Sequence, residues 1–141
     1  MRIHHRIIFL VLYFAAFACL AQLPDARTIN GIRFITGGIG SEVSKAMQAE
    51  AKQWPLLLEF SQADGQAKPA WVAGVRIIIS DAKNAPLLDT VCDGPLMLVK
   101  LPPGSYSIAA SYNGATQNRS LVIGKDVSQR IDITWKGAAS K

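Results

Sequence analysis

Histidine is nearly absent from this 141-residue chain: the only two, His4 and His5, stand in its first five positions. Cysteine is as scarce, with Cys19 and Cys92 alone. There is no run of like charge, no internal repeat and no low-complexity stretch. Only one long apolar run occurs, Ile7 to Ala21. Each absence excludes something. Beyond its first positions the chain has no imidazole for a Ser-His or Cys-His pair, and it lacks the commonest metal ligand. Scattered basic residues leave no electrostatic stripe for nucleic acid.

The apolar run spans 15 residues. At about 1.5 Å per residue it reaches roughly 22 Å, short of a hydrocarbon core of about 30 Å. A basic start (Arg2, Arg6) precedes it, and Gln22, Asp25 and Arg27 follow. This is the pattern of a secretory signal peptide over residues 1–21, with cleavage expected between Ala21 and Gln22. Cys19 offers an alternative, a lipid anchor, although Ala16 and Phe17 depart from the usual aliphatic and small residues before a lipidated cysteine. No membrane span is expected once the leader is removed. His4 and His5 would leave with it, and so would Arg2 and Arg6. The 15 basic residues of the chain then fall to 13 against 10 acidic ones, a net charge of +3. Only Cys92 would remain, so no internal disulfide can form. Next to a turn, it reads as a small buried hydrophobe.

About 120 residues are enough for one domain with its own core. Residues 22–54 read as an N-terminal segment. Leu23 to Asn30 looks irregular, Gly31 to Thr36 β-like, and Gly37-Gly38-Ile39-Gly40 breaks the run. Ser41 reads as an N-cap for a helix of about 41–54, with Glu42 in its first turn. Val43, Met47, Ala51 and Trp54 give it one apolar stripe, and Pro55 stops it.

Over residues 55–136 the period becomes two. Leu56, Leu58 and Phe60 alternate with Leu57, Glu59 and Ser61, and Val75, Ile77 and Ile79 with Arg76, Ile78 and Ser80. A strand is expected over Val72 to Ile79. Leu96 to Leu101 is apolar on both parities except Lys100, as for a strand covered on two sides. Tyr106, Ile108, Ala110 and Tyr112 share one face, and Asn113-Gly114 signals a type I′ hairpin. About seven short strands follow the helix, which predicts a mainly β fold: an antiparallel sandwich with one N-terminal helix. Residues 137–141 read as a frayed tail.

The strand Val72 to Ile79, the turn Asp81 to Pro86, Asp93-Gly94-Pro95 and Leu101-Pro102-Pro103-Gly104-Ser105-Tyr106 together resemble the carboxypeptidase regulatory-like domain. Asn84 stands where that pattern commonly has Gly. The resemblance covers roughly Val72 to Trp135 and extends to small exported bacterial proteins. It implies a prealbumin-like (transthyretin-like) Greek key and a non-catalytic accessory or protein-binding role in the periplasm or envelope. It supplies no catalytic residue, so an enzyme is not expected and no cofactor is called for.

Two rival readings remain. Trp71, ahead of a strand, is a possible carbohydrate contact. Ile35-Thr36-Gly37-Gly38-Ile39-Gly40 before a helix suggests nucleotide binding at the Gly37–Gly40 turn. Its glycine spacing does not fit, and no further crossover helix follows. Glu42 and Glu50 read as a solvated helix face, and Asp89 and Asp93 are too sparse for calcium.

Overall fold

In the computed structural model, residues 22–65 and 68–137 are described. Cys19, Ala21 and the rest of the expected leader lie outside the described residues, as do 66–67 and 138–141. Gln22 is an exposed residue without regular structure.

Among the described residues, ten strands, one α-helix and a single 3-10 turn form in the order β1 (Arg27–Ile29), β2 (Ile32–Gly37), α1 (Ser41–Glu50), the 3-10 turn (Ala51–Gln53), β3 (Leu56–Ala63), β4 (Ala70–Trp71), β5 (Arg76–Asp81), β6 (Pro86–Val91), β7 (Leu96–Lys100), β8 (Gly104–Tyr112), β9 (Ala115–Ile123) and β10 (Gln129–Lys136). The first sheet runs β1-β2-β7-β3-β10, with β4 paired to β3; the second runs β6-β5-β8-β9. The mainly β sandwich with one helix, expected from the alternation, is what forms.

The core follows the alternation. Phe34, Leu56, Leu58, Phe60, Met97, Val99 and Ile133 of the first sheet meet Ile77, Ile79, Leu88, Ile108 and Ala110 of the second. Leu96 and Leu98 point the other way, where Ile35 and Leu57 join them beneath Met47 and Trp54. That is why β7 is apolar on both parities: the second sheet covers one face and the helix the other. A ten-residue helix is marginal alone. Burial of side chains such as Met47 and Leu98, worth about 1.5–3 kcal/mol each, holds it in place.

The structure corrects several details. β3 and β10 pair in parallel, from Gln129 opposite Leu56 to Lys136 opposite Ala63, so the sandwich is not wholly antiparallel. β10 follows β9 of the other sheet, and the crossover between sheets sets its direction. Eight strands follow the helix, rather than about seven, and two precede it. The irregular lead-in contains β1, paired with β2 through Asn30 (φ 50°) and Gly31 (φ 77°). The N-terminal segment and the later strands therefore share one sheet. The expected strand over Val72 to Ile79 starts only at Arg76, as β5; residues 72–75 carry no regular structure and separate it from the short β4.

The helix proper ends at Glu50, and Trp54 is already extended (φ −118°, ψ 141°). The proline ring of Pro55 disfavours helical geometry in the residue before it. Gly40, not Ser41, occupies the N-cap, without a side-chain cap bond. Gly137, read as part of a frayed tail, donates its N–H to the Ala63 carbonyl at 2.6 Å.

Candidate functional site

The turn residues are consumed by packing. Thr36 Oγ1, buried at the end of β2, donates to Asp93 Oδ2 at 3.0 Å, and Arg27 Nη2 donates to Thr36 Oγ1 at 3.2 Å. A Cβ on Gly94 would collide with the Gly37 carbonyl group. One on Gly37 would stand 2.7 Å from Pro24, and one on Gly38 3.0 Å from the Leu96 side chain. Close approach of backbone and side chains thus accounts for Gly37, Gly38 and Gly94, while Gly40 has open space around it and is set by its positive φ of 87°. In the second motif Tyr106 Oη donates to the Pro102 carbonyl at 2.7 Å, and its ring lies over Gly104. Leu101 to Tyr106 is a turn closed by its own tyrosine.

Cys92 is fully buried and free, its Sγ 3.6 Å from Met97 Sδ. Burial, with a smaller effect of the nearby Asp93 charge, pushes its thiol up to about 12. Such a thiol has almost no nucleophilic thiolate near neutrality.

Trp71 stands on the two-residue strand β4, 44% exposed, on the outer face of the first sheet where α1 does not reach. Its indole N–H donates to Glu59 Oε1 at 2.7 Å, while Glu59 Oε2 accepts from Arg130. Arg130 Nε donates to Asp132 Oδ1 at 2.9 Å. Asp132 and then Glu59 hold the Arg130 guanidinium above its ordinary range. Parallel pairing creates this group, because it sets Asp132 opposite Glu59.

Both seams of the sandwich are closed by side-chain bonds. At the β9–β10 seam, Trp135 Nε1 donates to the Ala115 carbonyl at 3.0 Å and Gln117 Nε2 to the Thr134 carbonyl at 2.7 Å. Gln129 Nε2 donates to the Val122 carbonyl. At the opposite seam Asn30 Nδ2 donates to the Leu87 carbonyl at 2.9 Å, joining the β1–β2 turn to β6. Backbone groups that an edge strand would offer to another chain are partly capped.

An open cleft of about 660 Å³ lies at the end of the sandwich where the 3-10 turn meets the β7–β8 and β9–β10 connections. Lys52, Lys100 and Lys125 line it from three separate elements, with Trp54, Asp126 and Val127. Val127 is 51% exposed. Ser128 Oγ donates to the Lys52 carbonyl at 3.0 Å, and Gln129 N to the Pro55 carbonyl at 2.9 Å, so the walls are tied together. The sequence reading missed this cleft. Its lysines are isolated in sequence and meet only through the fold.

Among the described residues no group of His, Cys, Asp and Glu is placed to hold a metal ion, and no helix is long and apolar enough to cross a membrane. No family model matches the chain, and neither does any curated protein.

Proposed function

We propose that this is an exported, non-enzymatic binding protein of the bacterial periplasm or envelope, built on a sandwich of the carboxypeptidase regulatory-like, prealbumin-like kind. Its protein partner docks at the open end cleft. The observation that carries this reading is the cleft itself: concave, tied across its walls, and presenting a half-exposed valine beside three lysines. Export is supported by the N-terminal pattern of basic, apolar and small residues. Edge-strand pairing, the other mode open to a sandwich, is disfavoured by the capped seams.

A photo-crosslinking residue at Val127 tests the docking surface. In an envelope extract it should yield a defined protein adduct, while the same residue at Asn113, at the far β8–β9 turn, should not. No adduct from position 127, or equal adducts from both, would refute it. Mass analysis of the mature chain tests export: a start at Gln22 is expected, and a diacylated Cys19 would instead place the protein on a membrane.

Carbohydrate binding is the second reading. It is favoured by the exposed Trp71 indole beside Glu59, Arg130 and Asp132, since sugar rings stack on aromatic faces and bond to neighbouring polar groups. Glycan-array binding lost in Trp71→Ala would support it. Nucleotide binding at the Gly37–Gly40 turn is a weaker third reading, because packing already accounts for Gly37 and Gly38.

A further inference from the structure

Arg33 of β2 and Lys100 of β7 stand directly opposite each other. Like charges in that arrangement repel. Among the described residues neither forms an ion pair, and neither do Lys52 and Lys125. Instead the Arg33 guanidinium lies 5.8 Å, and the Lys100 ammonium 5.3 Å, from the centre of the Trp54 ring. Cation–π attraction of this kind offsets part of the repulsion. Two carboxylates are close. Asp126 lines the cleft, and Glu50 accepts the Trp54 indole N–H at 3.4 Å; neither is ion-paired. Three lysines thus line the cleft against one acid, Asp126, with Arg33 and Glu50 flanking it at Trp54.

We infer that the cleft is built to receive an acidic polypeptide segment. This rests on the reading of the cleft as the protein-docking surface and gives the partner its chemistry. The arrangement tolerates a like-charge pair that an incoming carboxylate would neutralise. The charges come from the 3-10 turn, the end of β7 and the β9–β10 turn, which suits an extended chain lying across them. Leu101, Pro103 and Val127 add apolar lining that accepts side chains between the acids. A membrane surface fits less well: the site is concave, and Trp54, only 4% exposed, is not free to insert into lipid.

The probe is a fluorescein-labelled hexaglutamate peptide, read by anisotropy at low ionic strength against labelled hexaserine. Hexaglutamate should bind, hexaserine should not, and added salt should release the peptide. Lys52→Ala, Lys100→Ala and Lys125→Ala should each weaken binding about threefold, as for partly exposed ion pairs. The triple change to Glu should abolish binding with an unchanged circular dichroism spectrum.

Equal binding of the two peptides, or full binding by the triple variant, would sink the inference. So would capture by phosphatidylglycerol vesicles with no binding of hexaglutamate. Crosslinking from position 127 separates the two levels. If the triple variant forms the same adduct as the parent, docking stands and the acidic chemistry falls. If the parent forms none, the docking reading itself falls.

Discussion

Thr36 and Asp93 lie 57 positions apart and are joined by a 3.0 Å hydrogen bond from the threonine hydroxyl to the carboxylate. It fastens the turn before β7 to the end of β2. The same carboxylate receives Arg27 at 3.5 Å, while Thr36 is buried. A double-mutant cycle with Thr36→Val and Asp93→Ala should show a coupling of about 1 kcal/mol in chemical denaturation. Full additivity would mean that the bond adds nothing to stability.

Gly94 packs against the Gly37 backbone, with no room for a methyl group. Gly94→Ala should cost about 1–3 kcal/mol by overpacking. Gly124→Ala is the control: its Cβ would meet Val127 at an ordinary 3.5 Å, and its stability should change little. Equal unfolding midpoints for the two variants would contradict this account.

Cys92 should resist iodoacetamide in the native protein at pH 8 and react once urea unfolds it. Its folded-state value of about 12 lies above the ordinary 9.0. The raised value means that folding favours the neutral thiol. Its stabilising effect is complete below pH 9 and is lost as the pH rises from 9 towards 12. Unfolding free energy should therefore fall across that window, and less steeply in Cys92→Ala.

Gln117 and Gln129 cap backbone carbonyls across the β9–β10 seam. Replacing both with Ala should leave the fold in place and expose strand edges to other copies. Sedimentation velocity should then show concentration-dependent association absent from the parent. A strictly monomeric double variant would show that the seam has no protective role.

Much of the fold was legible locally. The stripe Val43, Met47, Ala51 and Trp54 does face one apolar layer, although the helix stops four residues short of Trp54. Asn113 and Gly114 both take positive φ, at 47° and 77°, as a type I′ turn demands. Asn30-Gly31 carried the same signal, but its first strand has only three residues, too few to show alternation. Trp71 is exposed on β4, and its bond to Glu59 had no local sign in the sequence.

By itself the sequence determined which windows are strand or helix and which side chains seek the core, because period and turn chemistry act within a few residues. Only the tertiary structure decided that β10 lies parallel to β3, that Arg33 faces Lys100, and that three distant lysines share a cleft. Those outcomes depend on which strand lies beside which and in what register. That choice is made by burial summed over the whole sandwich, and no short segment encodes it.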